Sequence, residues 1–178
     1  MYWLIAGCLL GTGISIIGLT RLAVQHHDEL SPRSLSELAA AEDRLLRYFR
    51  IILWLCGTLF AFTMYGYIIP RIKLAFPIAI AWSVQYLGEV LLACIPARGK
   101  SLRNHTILAQ VMALGMLLLS YLFYVASAGL AANLQLGLSI VMTILALLTF
   151  IDKPRFIWYE LPFIYLSHIS IVVAAFSV

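Results

Sequence analysis

In this chain of 178 residues, 63% are hydrophobic and only 11% charged, with mean hydropathy +0.98 and a formal net charge of +4. Soluble domains are about 45–50% apolar and about 25% charged, so the composition excludes an ordinary soluble enzyme or binding module. Nor does the positive charge call for a nucleic acid, because the cations flank apolar blocks, where membrane insertion places them.

Six apolar blocks run along the chain, at about residues 2–20, 51–69, 76–95, 105–124, 136–151 and 156–178. Each approaches the about 20 residues that a helix needs to cross about 30 Å of hydrocarbon. The expectation is an all-α, polytopic membrane protein: one domain over residues 1–178, a bundle of six transmembrane helices with an amphipathic helix in its first loop. Cys8, Cys56 and Cys94 all lie within apolar blocks and read as small packing residues rather than a disulfide framework.

Span 1 lacks the basic start of a signal peptide and continues beyond a typical signal core, so it reads as a retained helix. Gly7, Gly11, Ser15 and Gly18 form one small-residue stripe that lets a second backbone approach closely. That second helix is either another part of this chain or a packing partner. The loop that follows begins HHDELSPRS, and His26, His27, Asp28 and Glu29 offer metal-ligand types. Adjacent residues rarely converge on one ion, and a solvated turn with no metal or other cofactor is the expectation. Ser34 to Glu37 then reads as a capping box that opens a helix over residues 34–50. Leu35, Leu38, Leu45 and Phe49 recur on one face, while Asp43, Arg47 and Arg50 share another. Such a helix lies on the membrane surface or carries span 2 into water.

Span 2 stops at Pro70 with Arg71 and Lys73 in a tight connection, and Pro77 is tolerated in the first turn of span 3. Trp82, Gln85, Tyr86 and Glu89 then form one polar and aromatic stripe on an otherwise apolar helix. Glu89 is six residues from the end of the span, about 9 Å by helical rise. A carboxylate held there without a partner costs several kcal/mol, so it is by default a functional-site candidate, either paired with a cation or held protonated. The candidate partners are Arg98, Lys100 and Arg103 of the next loop and His105 at the head of span 4, with Gln110 slightly deeper.

Span 5 carries only Ser139, Thr143 and Thr149 as polar groups. Span 6 has Glu160 about 6 Å inside the apolar run, Pro162, and His168 near mid-membrane. Glu160 is either a site residue or an interfacial carboxylate paired with Lys153 or Arg155. Loops 1, 3 and 5 share a side, and that side holds ten of the twelve Lys and Arg residues, all but Arg71 and Lys73. The positive-inside rule puts those loops in the cytoplasm and both termini outside, as in a plasma or inner membrane.

Glu89, His105, Gln110 and Glu160 therefore fall in one half of the bilayer, where they could line a cavity whose mouth carries Arg98, Lys100 and Arg103. Those cations suit an anionic lipid headgroup. A retinal protein is excluded, because Lys73, Lys100 and Lys153 all lie in loops. A zinc-dependent intramembrane hydrolase lacks the necessary set of inward His and Asp residues. Three roles stay open: binding of a membrane lipid or other amphiphile at Gln85, Glu89, Arg98, Lys100, Arg103, His105, Gln110, Glu160 and His168; proton-coupled transport through Glu89 and His168; or a structural subunit docked through the glycine stripe.

The stretch GEVLLACIPARGKSLRNHTILAQ resembles a six-span superfamily that includes the FGF-receptor-activating protein, the damage-regulated autophagy modulators and a bacterial family of unknown function. The resemblance rests on Pro96, His105 and Ala109, and the early acidic residue in YELPF of span 6 is similar to the bacterial branch. Ile95 stands where the family more often has an aromatic residue. What the resemblance implies is a membrane protein with a polar site on spans 3, 4 and 6 and a link to lipid remodelling.

Overall fold

A computed structural model describes residues 2–25, 34–152 and 155–178. The turn with His26, His27, Asp28 and Glu29, and Lys153 of the last loop, lie outside the described residues. The helices are α1 (Tyr2–Gln25), α2 (Leu35–Ala41), α3 (Asp43–Thr63), α4 (Ala75–Cys94), α5 (Leu102–Ala126), α6 (Gly129–Ile151) and α7 (Phe156–Ser177). Six of them, all but α2, are long and apolar enough to cross a membrane. The chain is an integral membrane protein built as a helical bundle.

The long helices pack in chain order, and α7 returns to α1 to close the bundle. Phe60, Trp82, Phe123, Ile171 and Ala174 fill its centre. Helix α6 touches mainly α5 and α7, leaving Leu134, Ile140, Ile144, Leu147 and Phe150 on its outer face. An outward apolar face of this kind is what lipid tails solvate.

The small-residue stripe of α1 lies along α3. A side chain at Gly7 would meet Thr63, one at Gly11 would meet Phe60, and one at Gly18 would reach within 2.6 Å of Ile52. Close approach also lets the Cys56 thiol donate to the carbonyl of Gly11 at 3.3 Å. On its other side α1 meets α7 through a 2.8 Å bond between Thr20 and Tyr165.

Two boundaries depart from the sequence expectation. The helix over residues 34–50 is interrupted at Glu42, whose extended backbone (φ −130°, ψ 140°) separates α2 from α3. The capping box at Ser34 and Glu37 forms as the spacing requires. Leu35, Leu38, Ala39 and Ala40 are buried, so one face of α2 packs on the bundle. Span 5 begins earlier than expected, at Gly129, whose positive φ of 56° makes the sharp turn after Ser127 and Ala128.

At its far end α3 runs into a π-helical turn, Met64–Ile68, closed by Ile69 N–H donating to the carbonyl of Met64 at 2.9 Å. A turn of this wider pitch offsets the residues that follow it and is often found at functional positions.

Candidate functional site

Glu89 faces α3 at Gly57, where the absence of a side chain leaves the space that the carboxyl occupies. A Cβ at position 57 would come within 3.2 Å of the Glu89 carboxyl carbon and of Tyr86. Glu89 is only 7% exposed, yet among the described residues it has neither a hydrogen bond nor a cation within ion-pairing distance. It lines a narrow cleft with Leu53 and Trp54 of α3 and Tyr86, Val90 and Ala93 of α4. The cleft is too constricted to seat a water-sized sphere. The α3–α4 seam is thinner than the neighbouring α4–α5 and α1–α3 seams, and Trp54 on its rim is exposed on the lipid side.

The expected partners of Glu89 are engaged elsewhere. Arg98 pairs with Asp43 at 3.1 Å, which ties loop 3 to the start of α3. His105 is buried, and its Nδ1 lies 2.6 Å from the carbonyl of Ile95, one of the acceptors that a helix C-terminus leaves open. Arg50 donates to the carbonyl of Cys94 at 3.3 Å. Lys100 and Arg103 are exposed at the rim, and Gln110 is exposed on the outer face of α5.

Glu160 is also committed elsewhere. Its Oε2 accepts from the backbone N–H of Leu35 at 2.8 Å, so a carboxylate of α7 holds the first turn of α2. Arg155 lies 3.8 Å from Asp152, and Lys153 lies outside the described residues. The nine residues expected to bind a ligand are therefore dispersed. Gln85 and Glu89 share one stripe of α4, His105, Arg98 and Glu160 tie elements together, Lys100, Arg103 and Gln110 face outward, and His168 is buried in α7.

Deeper in the bundle, polar atoms are buried without partners among the described residues: Trp82 Nε1 and Gln85 Oε1 of α4 and His168 Nδ1 of α7 make no hydrogen bond there. The imidazole of His168 lies against Phe60, with ring centroids 4.6 Å apart, and Phe60 is one turn along α3 from Gly57. Trp82 stacks on Tyr86 at 5.9 Å. Leaving such groups unpaired costs about 1–3 kcal/mol each, so they are acceptors and donors available to something else. Among the described residues no three His, Cys, Asp or Glu side chains converge as a metal site would require.

A second polar cluster is one that the sequence reading missed. Gln135 of α6 donates its Nε2 to the carbonyl of Ser170 at 2.8 Å and accepts from the Ser170 hydroxyl at 2.6 Å. Ser139 bonds to Ser120 of α5 at 2.7 Å and donates to the carbonyl of Gln135, also at 2.7 Å. All four side chains are buried and satisfied.

Fold and site together define a polytopic integral membrane protein with polar groups held inside its bundle. The chain matches no protein-family model, no characterised protein and no solved structure.

Proposed function

We propose that this protein binds a lipid or other amphiphile whose polar group reaches Glu89 through the α3–α4 seam. The observation that carries the reading is the buried, unpartnered carboxyl of Glu89 beside Gly57. Membrane carboxyl groups normally pair with another group or face a polar cavity. A hydroxyl, amide or ammonium headgroup entering past Trp54 would supply the missing bond, with the side chains of the narrow cleft moving apart to admit it. Lys100 and Arg103 at the rim suit a phosphate on the same molecule. The resemblance around Pro96, His105 and Ala109 points to the same helices.

Native mass spectrometry of the purified protein tests this directly. Wild type should retain a lipid adduct, and Glu89→Leu should lose at least about 90% of it, the tenfold change that about 1.4 kcal/mol of binding energy produces. Equal occupancy in the two proteins would refute the reading.

A proton-coupled transporter using Glu89 and His168 is the second reading, favoured by the unpartnered Nδ1 of His168. Solute flux in proteoliposomes that vanishes in both Glu89→Gln and His168→Gln would select it. In either case we infer that loops 1, 3 and 5 face the cytoplasm, from the ten-to-two distribution of cations. A cysteine placed in loop 3 should then react in intact cells only with membrane-permeant reagents, and labelling by an impermeant one would reverse the orientation.

A further inference from the structure

At the opposite end of the bundle from the basic loops, residues of α1, α7 and the π-helical turn line an open groove of about 430 Å³. Its walls are apolar: Tyr2, Ile5, Ala6 and Leu9 of α1 and Phe176 of α7, with Tyr67 from the π-helical turn. The volume falls in the range of small-molecule sites, about 300–1,000 Å³. Apart from the hydroxyls of Tyr2 and Tyr67, the latter donating to the carbonyl of Val178 at 3.4 Å, the lining side chains are hydrocarbon, which suits an acyl chain.

A cation lies against one of the groove's lining residues. The guanidinium of Arg71 lies over the Tyr67 ring, 4.6 Å from its centroid, and Nη1 donates to the carbonyl of Tyr67 at 3.0 Å. Among the described residues no carboxylate lies within ion-pairing distance of it. The side chain is thus fixed in place by one hydrogen bond and one ring, with donors left over and its charge uncompensated. An arginine held this way is pre-organised for the oxygens of a phosphate. Tyr67 both lines the groove and carries Arg71, so one aromatic ring links the apolar trough to the cation.

We propose that this groove is a phospholipid site, separate from Glu89 and in the other leaflet, in which an acyl chain lies along α1 and α7 and the phosphate meets Arg71. The π-helical turn is the element that makes it, because it carries Tyr67 on a wider turn than an α-helix would provide.

The test uses the full chain in detergent, titrated with phosphatidylglycerol and with diacylglycerol of the same acyl length, and read by native mass spectrometry. Wild type should bind phosphatidylglycerol at least tenfold more tightly than diacylglycerol. In a Glu89→Leu background, where the seam site does not contribute, Arg71→Gln should remove that preference while leaving diacylglycerol binding unchanged. Ala6→Phe, on an exposed face where misfolding is not expected, should fill the trough and weaken both lipids. Glu89→Leu should leave the phosphate preference intact, which separates this site from the α3–α4 seam. An unchanged preference in Arg71→Gln, or undiminished binding of both lipids in Ala6→Phe, would overturn the proposal.

Discussion

Two polar clusters lie within this bundle, and they differ in whether their hydrogen bonds close. Across α5, α6 and α7, Ser120, Gln135, Ser139 and Ser170 exchange bonds of 2.6–2.8 Å. Along α4 and facing it across the bundle, Glu89 has no partner among the described residues, and Trp82, Gln85 and His168 each bury an unpaired atom. A closed network holds three helices in one arrangement and cannot take up a ligand without losing bonds it already has. The open set can only gain by meeting one. A polar residue inside a membrane is therefore a pointer to function only after its bonds have been traced.

The largest effect that sharpens the comparison is expected at Gln135. Gln135→Leu removes two hydrogen bonds and leaves the hydroxyl and carbonyl of Ser170 to find other acceptors and donors. A destabilisation of about 2–3 kcal/mol should follow, above the about 0.6 kcal/mol average for a single interhelical bond because two bonds and their packing go together. Reversible unfolding in mixed micelles measures it. A change below about 0.5 kcal/mol would mean that the closed network contributes no more than ordinary packing.

Much of the fold is legible in composition and period, because each long apolar run has only one way to satisfy its backbone in lipid. The capping box at Ser34 and the small stripe from Gly7 to Gly18 are legible for the same kind of reason: each is a local pattern with a local physical cause. Gln135 is not legible. It is the last residue of an uncharged stretch, SAGLAANLQ, that reads as a weak loop, and only the turn at Gly129 places it inside α6. Its partner Ser170 is not distinctive in sequence terms either: it is one of three serines on the apolar helix α7, and its role depends on which way that helix is rotated. The expected pairing of Glu89 fails for a related reason. Charge and depth place Arg98 and His105 nearby, but the open carbonyl of Ile95 and the carboxylate of Asp43 are nearer to them.

Glu160 is the intermediate case, a carboxylate at the edge of the apolar run that does have a partner. Glu160→Ala frees the N–H of Leu35 and should cost about 1 kcal/mol, the scale of a lost helix cap. Glu160→Gln keeps a carbonyl oxygen in place and should cost less than half of that. Amide hydrogen exchange at Leu35 and Leu38 reads the difference directly, with faster exchange in the alanine variant. Equal protection in all three proteins would show that α2 is held by its buried leucines alone.

The smallest effect on stability is expected at Glu89, the residue that carries the functional proposal. Were it one half of a buried ion pair, removing it would strand a cation and cost about 3–5 kcal/mol. Here Arg98 and His105 have their own partners, and nothing described is left stranded. Glu89→Leu replaces an unpartnered carboxyl by an apolar group that can pack against Gly57, Leu53 and Val90, so the unfolding free energy should stay within about 1 kcal/mol of wild type and can rise. Leucine is the informative choice, because alanine would add the cost of a cavity to the answer. Both proteins should be stripped of lipid before unfolding, since a ligand bound only to the folded wild type would add its own stabilisation. A loss of about 3 kcal/mol in the stripped protein would place Glu89 with Gln135, as a structural member of a closed network whose partner lies inside the chain. Near-equal stability together with loss of the lipid adduct would separate the two clusters by what they do: one holds the helices, and the other waits for a ligand.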